Sequence, residues 1–347
     1  MTTDVVNTIA HAAPRTTMRN GDNMPSFLVR IPAIAALGVA LGMTSLAHAQ
    51  YPERTVRIVV PYAGGGGIDA IGRLLATRLA VVWNKPVVIE NRPGAGAVIG
   101  TDVVAKAPAD GYTFLMHANT LAINAGSGAK LPFNPAEDFA PVVLAGRAPM
   151  VLVVGPSAKS ATLRDFIAAS RTRPGGVNLA SAGQGGVLHL GIELLKLRAP
   201  MAATHVPYKA LEGAVTDVIG GRVDAMFTTP AHVVQQIRTG TLQGLAVSSA
   251  ARLPQLPEVP TMAEAGVSGF EIYVWFGLFA PAATPAPVIN KVAADAREVL
   301  GRKDVIDTIA AQGLEAAALG PADFGRMFKG EIATWTNLIR ASGIKLD

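Results

Sequence analysis

Four loops gather the residues of this chain that could act on another molecule. The first is Pro61-Tyr62-Ala63-Gly64-Gly65-Gly66-Gly67-Ile68-Asp69. Its glycines carry no Cβ, so backbone amides at Gly65 and Gly66 can approach a ligand closely. A phosphate-cradling loop needs Gly-Lys-Ser/Thr at its end. Ile68 and Asp69 stand there instead, which argues against a nucleotide. Asp69 has two open roles: capping the helix that follows, or accepting hydrogen bonds from a ligand or a bridging water. Tyr62 offers a phenol at the loop's entrance. The second loop is Glu90-Asn91-Arg92-Pro93-Gly94-Ala95. Arg92 could grip a carboxylate, although an Arg beside a Glu in a turn is more commonly a structural pair.

The third loop is Ser181-Ala182-Gly183-Gln184-Gly185-Gly186-Val187-Leu188-His189. Ser181 and the glycines Gly183, Gly185 and Gly186 are ligand-binding candidates. The order Ser-x-Gly-x-Gly is not the Gly-x-Ser-x-Gly of a nucleophile elbow. An exported serine hydrolase using Ser181 and His189 is therefore a remote alternative, with no acid in view to orient the imidazole. The fourth region holds His205-Val206-Pro207-Tyr208-Lys209 and Phe227-Thr228-Thr229-Pro230. Pro230 suits the first turn of a helix. That places the hydroxyl of Thr228 at its mouth, and Tyr208 could add another. Metal-ligand spacings and neighbouring carboxylates for acid–base work are both missing from the pattern. No catalytic residue, metal or cofactor is expected.

The elements that must position these loops alternate along the chain. Val56–Pro61 reads as a buried strand. Ile68, Ile71, Leu75, Leu79 and Val82 then recur at steps of 3, 4, 4 and 3, a helix with one apolar face. Strands follow at 86–90, 112–116, twice within 142–154, and at 177–180, 203–206, 224–228 and 244–247. Helices are expected over 98–106, 162–171, 187–197, 287–302 and 321–341. Short strands alternating with helices mean mixed sheets with helices on both faces, hence an α/β fold. In such sheets ligands sit beyond the carboxyl ends of the strands, where helix N-termini offer unpaired N–H groups to an anion.

Bulk properties agree. At 347 residues the chain is long enough for two domains. A net charge of +5 without a Lys/Arg run makes nucleic acid a poor partner and suits a small anion. The absence of cysteine removes disulfides, thiolate chemistry and a lipid-anchoring Cys. Arg30, the apolar run 31–46 and Ala47-His48-Ala49 read as a secretory signal peptide over residues 1–49, with Met24 as an alternative start. The expected location is the periplasm.

With these residues in place, the chain resembles the tripartite tricarboxylate transporter receptors, the TctC-like or Bug solute-binding proteins. The markers run in family order. They begin with Val59-Val60-Pro61-Tyr62 and Asp69, Glu90-Asn91-Arg92-Pro93-Gly94-Ala95, and Ala109-Asp110-Gly111-Tyr112-Thr113. They continue through His205-Val206-Pro207-Tyr208-Lys209, Gly220-Gly221-Arg222-Val223-Asp224 and Val259-Pro260-Thr261, ending at Trp275-x-Gly-x-x-Ala280-Pro281. The resemblance implies a two-lobe periplasmic-binding fold of the type II, flytrap kind, each lobe a mixed β-sheet flanked by helices. It implies residues 50–152 plus 277–347 as one lobe and 153–276 as the other. It also implies a carboxylated ligand held by the first and third loops, partly through water, and delivery to membrane permease subunits. A sensor kinase is the alternative partner, and a monomer the expected state. The chain departs from the family pattern at Gly186, where Ser or Thr is common, and at Ala210, where Gly is usual.

Overall fold

The computed structural model describes residues 51–344 and 346. The expected signal segment, residues 1–49, lies outside them. In chain order the first elements are β1 (Val56–Val60), α1 (Gly67–Trp83), β2 (Val87–Asn91), α2 (Val98–Ala105), β3 (Thr113–Ala118), α3 (Thr120–Ser127) and β4 (Phe139–Pro149). Next come β5 (Val151–Val154), α4 (Leu163–Thr172), β6 (Val177–Ala182), α5 (Val187–Arg198), β7 (Ala203–Tyr208), α6 (Leu211–Ile219), β8 (Ala225–Thr228), α7 (Val234–Arg238) and β9 (Gln243–Val247). The chain ends with β10 (Tyr273–Pro281), α8 (Ala286–Leu300), α9 (Lys303–Ala311), β11 (Glu315–Leu319) and α10 (Pro321–Ser342).

The strands form two sheets. One has the order β11-β4-β10-β3-β1-β2 and the other β7-β6-β8-β5-β9. Both mix parallel and antiparallel pairs. This is the mixed two-sheet α/β architecture expected, with helices packed on the sheets. Val59 and Val60 of β1 are fully buried, as a strand covered on both faces demands. Ile68, Ile71, Leu75 and Leu79 form the buried stripe of α1.

The chain changes sheet at Met150 and again between Val247 and Tyr273. One buried side chain ties these passages together. Ser248 Oγ accepts from the Met150 amide at 2.8 Å and donates to the carbonyl of Ile272. The Ser248 amide also donates to the Met150 carbonyl at 2.8 Å. Just beyond, Asn119 brackets β10, donating to Tyr273 O and accepting from the Trp275 amide, each at 3.0 Å. Asn119, Trp275 and Trp335 all donate to Oε2 of Glu331 on α10. An apolar core runs through this region, from Trp275, Phe279, Phe324 and Phe328 to Leu190, Phe227 and Phe270. The crossover is thus both hydrogen-bonded and packed.

Candidate functional site

Strand register fixes which ends of the sheets face the crossover. Tyr273 pairs with Pro149, and Phe276 with Ala118. The carboxyl ends of β3 and β4 therefore lie at that end, as does that of β1, which runs parallel to β3. In the other sheet Val151 pairs with both Thr228 and Val247. This puts the carboxyl ends of β8 and β9 at the crossover, and that of β6 too, since it parallels β8. The loops after β1, β6 and β8 consequently open toward the boundary between the sheets, where ligands of open α/β sheets sit.

The first and third loops are built alike. Gly65 has a φ of +93° and Gly185 one of +76°, a region costly for residues with a Cβ. Gly66 and Gly186 then take extended backbone as the N-caps of α1 and α5. The Gly65 amide donates to Asp69 Oδ2 at 3.0 Å, and the Gly185 amide to His189 Nδ1 at 3.0 Å. In both, the third helical residue reaches back to hold the glycine two positions before the helix. The first-turn amides that follow have no carbonyl partner within their helices. They carry the positive end of the helix dipole. A Cβ at Gly66 would meet nothing within 4 Å, and one at Gly186 only Ala182 O at 3.7 Å, so both loops border open space.

Asp69 combines the two roles foreseen for it less than it fills a third. Its buried carboxylate accepts from Gly65 N, from Arg73 Nε at 2.9 Å and from Asn91 Nδ2 at 2.9 Å. Arg73 also donates to Asn91 Oδ1 at 2.8 Å. The Arg73 hydrogen bond, helped by the amide and Asn91 and opposed by burial, lowers its pKa to about 2. Asp69 organises the loop and uses the Gly65 amide in doing so.

Around the third loop, Ser181 is fully buried. Its Oγ lies 2.7 Å from His205 Nε2 and 3.1 Å from Gly183 O. The serine thus pairs with His205, while His189 turns to the Gly185 amide. The two imidazoles stack, with centroids 3.8 Å apart and planes at 16°. Burial lowers both pKa values, that of His205 to about 4 with help from His189. No carboxylate is bonded to His205, so the hydrolase arrangement of Ser181 with His189 and an orienting acid does not form among the described residues.

The candidate tyrosines spend their hydroxyls on partners within the protein. Tyr62 Oη lies 3.4 Å from Nδ1 of buried His117, whose Nε2 is 3.0 Å from Thr101 Oγ1. Thr101 itself donates to Ala97 O at 2.7 Å, so His117 carries its hydrogen on Nε2. Burial raises the Tyr62 pKa to about 12 and lowers that of His117 to about 4. Tyr208 donates to Asp217 at 2.7 Å, and Asp217 pairs with Arg222 at 2.6 Å. Arg92 is engaged with Glu90, which also holds Arg57. Thr228 differs: it is fully buried and its Oγ1 has no hydrogen-bond partner. An unsatisfied buried hydroxyl costs about 1–3 kcal/mol, so a ligand or water reaching it gains by pairing.

A turn that sequence reasoning did not single out joins the two sides. A Cβ at Gly313, whose φ is +73°, would fall 2.6 Å from Ala231 Cβ, just past Pro230. The next residue, Leu314, reaches within 4.0 Å of a Cβ placed on Gly67. The Gly313–Leu314 turn thus lies against both the first loop and the loop after Thr228. Leu346 lies 3.5 Å from a Cβ placed on Gly185. A hollow of about 850 Å³ elsewhere, along β9 and the start of α4, is lined by none of these residues. No group of three His, Asp or Glu among the described residues could hold a metal ion.

A two-sheet α/β chain, with amide-bearing loops from each sheet opening toward the crossover, has the architecture of periplasmic solute-binding receptors. More narrowly, the chain belongs to the tripartite tricarboxylate transporter receptor family, TctC, whose model matches residues 71–344. This is a family of binding receptors and not of enzymes. Protein BugT of Bordetella pertussis is 36% identical over 319 residues, covering 90% of this chain and 98% of that one. The structure of Rhodopseudomonas palustris Rpa4515 with adipate superposes with a TM-score of 0.73 at 33% identity, covering 85% and 99% of the two chains. MatC from the same organism, with bound malate, gives 0.70 at 30% identity, covering 83% and 100%.

Proposed function

We propose that this chain captures a small organic carboxylate between the Gly64–Asp69 and Ser181–His189 loops and hands it to the membrane permease subunits of a tripartite tricarboxylate transporter. The observation that carries the reading is the matched pair of loops, each presenting free first-turn amides from a helix N-terminus toward the crossover. The amides of Gly66–Ile68 and Gly186–Leu188 supply donors, the rim is formed by Tyr62, Gly183 and Tyr208, and Thr228 and Ser181 lie beneath. Solved relatives that hold malate and adipate support the ligand class. The lobes are residues 50–152 with 277–347, and 153–276, closing about the Met150–Ser248–Ile272 tie. The mature protein begins at Gln50 in the periplasm and acts as a monomer.

A thermal-shift series over mono-, di- and tricarboxylates tests the ligand. At a hundred times its Kd, a ligand adds about 2.7 kcal/mol to stability. A series that moves the midpoint with no carboxylate, but does so with sugars or amines, rejects the reading. N-terminal sequencing of the periplasmic fraction checks the start at Gln50. Copurification with permease subunits supports the transport role, whereas capture by a sensor kinase alone would reassign the partner.

A further inference from the structure

The two loops hold their second glycine with different chemistry. On α1 the acceptor is Asp69, ionised and tied to Arg73 and Asn91. On α5 it is His189, buried at 5% exposure and stacked on His205. Both acceptor atoms are one bond beyond Cγ and both sit 3.0 Å from the glycine nitrogen. Both helices then close their first intrahelical bond from the N-cap carbonyl, Ala70 N to Gly66 O at 3.0 Å and Leu190 N to Gly186 O at 2.9 Å. Nothing in the helix requires this reach-back. Its effect is to fix the peptide entering the cap, and with it the direction of the free amides behind.

Because the Gly185 N–H donates to Nδ1, the imidazole must keep a lone pair there and carry its hydrogen on Nε2. That nitrogen faces Glu193 at 3.9 Å, and Glu193 is held by Lys196 at 3.0 Å. The other groups around the ring are His205 of β7 and, beyond it, Ser181 of β6. We infer that His189 is a positioning residue for ligand capture: its neutral Nδ1 holds the Gly185 amide and thereby aims the first-turn amides of α5, the counterpart of Asp69 on α1. This rests on the receptor reading above for the identity of the site, but not for the geometry of the loop.

A consequence separates this role from simple packing. Protonation puts a hydrogen on Nδ1 and removes the acceptor. Burial, with Lys196 and against Glu193, keeps His189 below its ordinary value. The hold on Gly185 is therefore intact above pH 6.5 and is lost as pH falls through the lowered folded value.

The test uses the full mature protein with malate and adipate as probes. In His189→Asn, Oδ1 replaces Nδ1 as acceptor but cannot titrate; in His189→Leu there is no acceptor. Amide exchange at Gly185, read by NMR without ligand, is expected to be slow in wild type and His189→Asn and at least tenfold faster in His189→Leu. At pH 8, His189→Asn is expected to bind within threefold of wild type and His189→Leu at least tenfold more weakly. As pH is lowered from 8 through the lowered His189 value, wild type is expected to lose affinity relative to His189→Asn, a comparison that cancels protonation of the probe. Equal Gly185 exchange in all three proteins overturns the inference, as does wild-type affinity in His189→Leu. So does a folded His189→Asn that binds as poorly as the leucine variant. If wild type binds neither probe, malate and adipate are excluded as its ligands, and the exchange rates still decide the role of His189.

Discussion

Asp69 accepts three hydrogen bonds in a buried setting, and its charge belongs to the folded state. Its carboxyl titrates at about 2 rather than 3.8. The stability it contributes is present above pH 3.8 and is lost as pH falls through about 2. Arg73 is half exposed, so screening trims the contribution to about 1–2 kcal/mol. Urea unfolding between pH 5 and pH 2 should show that slope in wild type, and a flatter one in Asp69→Asn. At Gly186 the extended N-cap backbone and the open space beside it admit a hydroxyl. Gly186→Ser should stabilise α5 by a few tenths of a kcal/mol, about what Ser gains over Gly at a cap. The same change should raise carboxylate affinity in a calorimetric titration. The glycine runs were readable in the sequence because positions such as Gly65 and Gly185, with positive φ, favour glycine. The directions of Tyr62 and Tyr208 were not, since their partners His117 and Asp217 are brought near by folding. The spacing of Asp69 and Arg73 was a usable signal that a helical i,i+4 pair would occupy the carboxylate.

Helix α1 and strand β1 followed from periodicity and β-branched content, and α5 began where the glycines ended. Strand β10 did not announce itself. Its sequence YVWFGLFAP is apolar without alternation, because both faces are covered, and a short run of that kind does not distinguish strand from helix. Nor did α3, whose eight residues TLAINAGS lack a long amphipathic stripe; it holds its place by packing on α10. The crossover tie at Ser248 depends on Met150 and Ile272, residues 98 and 24 positions away, a relation no local pattern encodes. Ser248→Ala leaves the buried Met150 amide without its side-chain acceptor. It should cost about 1–3 kcal/mol in chemical denaturation. If Ser248 merely fills space, the loss will be negligible.

Under the proposed closure, the rim matters as well as the tie. Ala231 is exposed, yet the Gly313 backbone lies directly against it. A larger side chain on either partner would meet the other before the sheets reach this separation. Ala231→Leu should leave the stability of the ligand-free protein within about 0.5 kcal/mol, as for other surface changes. Affinity should fall at least tenfold, and small-angle scattering should no longer show compaction on adding ligand. Unchanged affinity would mean that this contact does not limit closure. The two-sheet plan was foreseeable from alternating elements and from the family markers. The Gly313–Ala231 contact was not, because it depends on how far apart the two sheets come to rest.

The matched backbone of the two loops has one more implication. A molecule with identical termini could enter in either direction and gain about twofold in association from statistics alone, or about 0.4 kcal/mol. A molecule with unlike termini faces an ionised carboxylate anchor on one side and an uncharged imidazole on the other. Its more acidic end would then be steered toward the imidazole, giving the receptor a polarity that its backbone does not have.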